Sequence, residues 1–182
     1  MKYPILKSFS LWLLLLCGGC GQPYSFSTND PLEHYRYVDE TLDQVGRTIL
    51  DFAGVAGSAP ASCDKLADFH RRTVEDLGAA HEKLRGVEPF PKSEDYAKTA
   101  VALVGYHLEY LKGPYQKWVE LRCKPDQAQQ DYIEMEKIGS AYREGLYAPD
   151  DAYQAARARF IADHRLPVLF PHVQDEDYRL LK

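Results

Sequence analysis

The spacing of apolar residues near the start of the chain limits its fold most strongly. Between residues 31 and 56, apolar side chains recur at alternating steps of three and four. They are Tyr35, Val38, Leu42, Val45, Ile49, Phe52 and Ala56. This spacing places them on one face of an α-helix. Asp30 and Glu33 form a capping-box pattern around Pro31, which suits the first helical position. We therefore predict an amphipathic helix over residues 31–56.

Clusters of proline and glycine divide the rest of the chain into further helical segments. These are residues 62–87 with Ser62 as the N-cap, 93–123, 126–147, and a shorter helix that follows Pro149 and ends near His164. Gly113-Pro114 should kink or break the third segment. No segment has the pattern of a strand, and helices joined by short loops pack as antiparallel neighbours. We expect an all-α, up-down four-helix bundle with an additional short C-terminal helix.

The first twenty residues have the features of an export signal. Lys2 and Lys7 precede an almost unbroken apolar run from Phe9 to Cys17. The run is shorter than the roughly 20 residues that span a bilayer, and it fits the apolar region of a signal peptide. Gly18, Gly19 and Cys20 follow, and Cys17 stands where an aliphatic residue is usual. This resembles the lipobox of bacterial lipoproteins, whose cysteine is acylated and becomes the first residue. The alternatives are ordinary secretion with cleavage before Gln22 and a retained anchor helix.

The resemblance implies a domain organisation and an address. Residues 1–19 would be the signal peptide, residues 20–30 the lipidated cysteine and a flexible tether, and residues 31–182 the bundle domain. The family typically carries three acyl chains, and two or more chains anchor a protein stably. Gly21 stands where an aspartate would favour the inner membrane. We therefore expect a cell-envelope protein bound to a membrane by its lipid, with the outer membrane favoured if the organism has one.

The overall charge argues against nucleic acid as a partner. The chain has 22 basic and 27 acidic residues, which gives a formal net charge of −5. It contains no run of basic residues, whereas binding to a phosphate backbone needs clustered Lys and Arg. An envelope protein or the cell wall is the expected partner.

Two cysteines remain if the leader is removed and Cys20 is acylated. Cys63 and Cys123 lie on either side of a turn near Pro89, so both belong at the same end of the bundle. A pair of cysteines in an exported protein is a candidate disulfide. The alternative is two buried free thiols.

His70 and His107 are the candidate metal ligands. They fall in the apolar faces of adjacent helices, at nearly equal distances from Pro89. Neutral imidazoles at one level could bind zinc, copper or haem iron. The chain has no C-x-x-C-H, Glu-x-x-His or H-E-x-x-H motif, so the alternative is two core histidines with hydrogen-bond partners.

No catalytic motif emerges from the sequence. No serine lies in a G-x-S-x-G pattern. The thirteen tyrosines suit either an aromatic binding groove or filling of the bundle core. We expect a non-enzymatic binding or structural component without a cofactor, for which Leu166–Phe170 is one candidate docking patch. A metal or haem carrier that uses His70 and His107 is the alternative function.

Overall fold

The computed structural model describes residues 24–57 and 62–167, which form five α-helices. These are α1 (Pro31–Gly57), α2 (Cys63–Arg85), α3 (Glu94–Lys112), α4 (Pro114–Arg122) and α5 (Gln129–His164). Within the described ranges there is no strand, and a single isolated bridge joins Phe26 to Val87. The predicted all-α bundle is confirmed.

The helix starts largely follow the predicted capping residues. The Asp30 carboxylate accepts a hydrogen bond from the Leu32 amide at 2.9 Å, and the Ser62 hydroxyl accepts one from the Lys65 amide. These caps satisfy amides that have no partner within the helix. In a capping box, the Glu33 carboxylate would accept a hydrogen bond from the Asp30 amide. Here it accepts one from the Thr28 hydroxyl instead.

The Gly113-Pro114 break occurs as predicted. The Gly113 amide still donates to the Glu109 carbonyl at 3.0 Å, which closes α3. Pro114 then occupies the first turn of α4, where its missing N–H costs nothing. The break redirects the chain, so that α4 packs on α5 as well as on the end of α3.

The predicted interruption at Pro149 is wrong. Helix α5 continues through this proline, so residues 150–164 are its second half rather than an additional short C-terminal helix. A proline inside a helix costs about 3 kcal/mol. Packing offsets that cost on both sides, because Tyr142 lies in the bundle before the proline and Tyr153 and Phe160 are buried after it. The short extra helix is α4.

The helices pack in the order α1, α2, α3, α5, with α4 extending α3. Helices α1 and α5 meet at one end of the bundle, where Arg157 binds the Asp39 carboxylate at 2.9 Å and the Phe160 ring stacks with the buried His34 ring. Towards the other end, α1 and α5 line opposite sides of a groove. The bundle is therefore closed at the start of α1 and open at its end.

The segment before α1 is bound to the bundle, although we expected a flexible tether over residues 20–30. The Phe26 amide donates to the Gly86 carbonyl, and the Glu88 amide donates to the Phe26 carbonyl, both at 2.9 Å. The Phe26 ring stacks on Tyr37 with a centroid separation of 3.8 Å. Residues 20–23 lie outside the described residues.

This attachment depends on Gly86. A Cβ atom there would lie 1.7 Å from the Tyr24 carbonyl oxygen, which is part of the backbone. We expect Gly86→Ala to lower the free energy of unfolding by about 1–3 kcal/mol, the usual cost of a steric clash in a packed region. Urea denaturation measures this change.

Gly78→Ala is the matched control. Gly78 lies inside α2, and an added Cβ there would contact nothing within 4 Å. Alanine is the better helix former by up to about 1 kcal/mol, so this variant should be more stable than the wild type. A gain of stability in both alanine variants would contradict the close approach of Gly86 to the Tyr24 backbone.

Candidate binding groove

The two cysteines lie side by side at the open end of the bundle. Cys63 is the first residue of α2, and Cys123 follows the last residue of α4. Both are free thiols here. Burial, and then a hydrogen bond with the Cys63 thiol, raises the pKa of Cys123 to about 11. The predicted proximity is therefore present, while the disulfide bond itself stays a prediction.

The two candidate metal ligands have separate hydrogen-bond partners. Nε2 of His70 donates to the Leu111 carbonyl at 2.8 Å, and Nδ1 of His107 shares a 2.7 Å hydrogen bond with the Tyr142 hydroxyl. His107 is buried, which lowers its pKa to about 4. Each ring is thus held within the bundle by a neighbouring helix.

No further ligand joins these histidines in the described part of the chain. Across residues 24–57 and 62–167, no group of three or more His, Cys, Asp or Glu side chains is placed to hold a metal ion. A site formed by His70 and His107 alone would be incomplete. The metal or haem site therefore stays a prediction from the sequence.

His34 is a buried polar residue that we did not single out from the sequence. It is 1% exposed, and its Nε2 has no hydrogen-bond partner. Burial, followed by the nearby His164, lowers the pKa of His34. Four aromatic rings surround it, those of Phe26, Phe90, Tyr96 and Phe160. The sequence signal for the burial of His34 was its position one helical turn before Val38, on the same face of the helix.

Two half-buried tyrosines of α3 have structural hydrogen bonds. The hydroxyls of Tyr106 and Tyr110 donate to the carbonyls of Tyr142 and Ile138, at 2.7 and 2.9 Å. A Cβ at Gly145 would lie 2.5 Å from the Tyr106 hydroxyl, so the glycine allows α3 and α5 to approach. Tyr106 and Tyr110 therefore join α3 to α5.

An apolar groove of about 480 Å³ lies beside this interface, between α1, α4 and α5. Its walls are largely apolar and aromatic, with Ile49, Phe52, Tyr115, Trp118, Met135 and Tyr142 among the residues that line it. Its volume lies within the roughly 300–1,000 Å³ usual for small-molecule sites. The groove is therefore a candidate binding site.

The polar groups of the groove are mainly hydrogen-bond donors. The Arg122 guanidinium, the Tyr115 hydroxyl and the Trp118 indole N–H have no hydrogen-bond or ion-pair partner among the described residues. The carboxylate of Glu136 is already engaged, since Arg143 binds it at 3.2 Å and the Ser140 hydroxyl donates to it at 3.3 Å. The groove thus has unused donors and no unused carboxylate.

An aromatic groove was one interpretation of the tyrosines, but the sequence did not locate this site. Trp118 and Arg122 belong to α4, whose direction is set by the break at Gly113-Pro114. The sequence locates the break but does not determine the direction of the chain beyond it. The Leu166–Phe170 patch predicted from the sequence is described only for Leu166 and Pro167, and Leu166 packs against the core.

None of the described helices is long and apolar enough to span a bilayer. No protein-family model matches the chain, and neither a curated protein nor a solved structure matches it.

Proposed function

We propose that this chain is an exported lipoprotein of the bacterial envelope, tethered to a membrane by a lipid on Cys20. Its bundle would be a non-enzymatic binding component that presents the groove between α1, α4 and α5. The groove is the single observation that carries a binding role. The tether rests on Lys2, Lys7, the apolar run and the Gly18-Gly19-Cys20 sequence.

The contacts of Phe26 support an arrangement in which the tether and the groove are well separated. Phe26 stacks on Tyr37 near the start of α1, whereas Phe52 lines the groove near its end. Fifteen helical residues span about 22 Å at 1.5 Å per residue. A lipid on Cys20 would thus hold the closed end near the membrane, and the groove would face an envelope protein, the cell wall or a soluble ligand.

Metabolic labelling with an alkyne analogue of palmitate tests the tether. In bacteria that express the full chain, we expect the wild type to incorporate the label and to sediment with membranes. Cys20→Ser should lose both properties, because the acyl-accepting thiol is gone.

Cys17→Ser is the matched control for this experiment. It removes the neighbouring cysteine and retains Cys20, so the label should remain. Labelling that persists in Cys20→Ser, or that is missing from the wild type, would contradict a lipid at this position.

A further inference from the structure

We propose that the groove binds a free long-chain carboxylate, with the hydrocarbon chain along the aromatic wall and the carboxylate at Arg122. This inference names the ligand class for the binding role proposed above and rests on it. Three features of the groove support it: its position between two helices, the chemistry of its wall and the donors that it leaves unused.

The position of the groove between two helices suits a slender ligand. Helices α1 and α5 form its sides, and Tyr115 and Trp118 of α4 also line it. Beyond the groove, Tyr153 and Arg157 of α5 contact Asp39 of α1, so the two helices meet there. An extended chain can therefore lie between the two helices.

The wall of the groove favours a hydrocarbon chain. Phe52, Met135 and Trp118 present carbon-rich surfaces, and methionine adapts easily to irregular apolar ligands. Burial of each methylene contributes enough to raise affinity roughly fourfold. A chain of several methylenes would thus supply most of the affinity.

The unused donors favour a carboxylate as the head group. Arg122 is half-buried and has no ion pair among the described residues, and Tyr115 and Trp118 add two further donors. Arginine binds carboxylates with two parallel hydrogen bonds. Arg122 and Arg143 outnumber Glu136, so the groove is locally basic in a chain of net charge −5. An anion is therefore attracted to this part of the surface.

Dodecanoate is the probe, and Trp118 is the reporter. The full chain has two tryptophans, so Trp12→Phe leaves the Trp118 indole as the only one. We expect a saturable change in its fluorescence with dodecanoate below the micellar concentration. Affinity should rise roughly fifteenfold for every two methylenes from octanoate to dodecanoate.

Two variants assign the head group and the chain. Arg122→Gln should weaken dodecanoate binding about tenfold and leave binding of the neutral dodecanol unchanged, while Arg36→Gln on the exposed start of α1 should change neither. Gly139→Leu should remove binding of both ligands by filling the groove. A Cβ at Gly139 meets only the end of the Arg143 side chain, at 3.5 Å, so this variant should fold.

The proposal is overturned if dodecanoate causes no saturable change, or if binding is the same in Gly139→Leu. Equal affinities for dodecanoate and dodecanol, both unaffected by Arg122→Gln, would refute the carboxylate assignment. These measurements do not depend on a lipid at Cys20. The ligand proposal and the tether proposal can therefore fail separately.

Discussion

Oxidation of Cys63 and Cys123 to a disulfide should stabilise the bundle by about 4 kcal/mol. The bond would close a loop of 60 residues, and the loss of chain entropy in the unfolded state is of that order for such a loop. The two thiols already lie next to each other. The raised pKa of Cys123 disfavours the reactive thiolate, so oxidation should be slow unless it is catalysed. Urea denaturation with and without reductant measures the difference.

Cys63→Ser is the control for the disulfide. It should match the reduced wild type, and reductant should not change its unfolding midpoint. Peptide mass analysis of protein from the envelope should show Cys63 joined to Cys123. Two free thiols in that protein, or equal stabilities of wild type and Cys63→Ser without reductant, would contradict the disulfide.

Acidification should destabilise the bundle through His107. The pKa of His107 is lowered to about 4 by burial, against an ordinary value of 6.5. The unfolded chain therefore binds a proton more readily than the folded one. The contribution of His107 to stability is complete above pH 6.5 and is lost as the pH falls from 6.5 to 4. The loss is about 3 kcal/mol, and denaturation across this range measures it.

His107→Asn isolates this effect. An asparagine amide can reach the Tyr142 hydroxyl from about the position of Nδ1 and does not titrate. The variant should lose about 3 kcal/mol less stability than the wild type between pH 6.5 and 4. His34 should contribute in the same direction in both proteins, because burial also lowers its pKa. An identical pH dependence in the two proteins would mean that His107 is not buried in its neutral form.

Periodicity predicted the helices because burial of one apolar face governs their formation. The face through Val38, Val45 and Phe52 is buried as expected. The prediction failed at Pro149, where local propensity argued for a break. There the buried residues on either side hold α5 together. Such long-range packing is not visible in a short window of sequence.

The candidate site was less predictable than the fold. The proximity of Cys63 and Cys123 followed from counting residues on both sides of a turn. The groove did not, because it arises where α1 and α5 separate and α4 turns towards them. The donors of the groove can be identified as unused only when the hydrogen-bond partners of the other polar groups are known. The functional surface depends on helix directions, which apolar spacing does not determine.

The mass of the intact protein extracted from the envelope of expressing cells tests the central claim most directly. An exported lipoprotein should begin at Cys20 and carry acyl chains on that residue. Its mass should therefore equal that of residues 20–182 plus the lipid. A mass that corresponds to an unmodified chain beginning at Gln22, or to a chain that retains residues 1–19, would contradict the account.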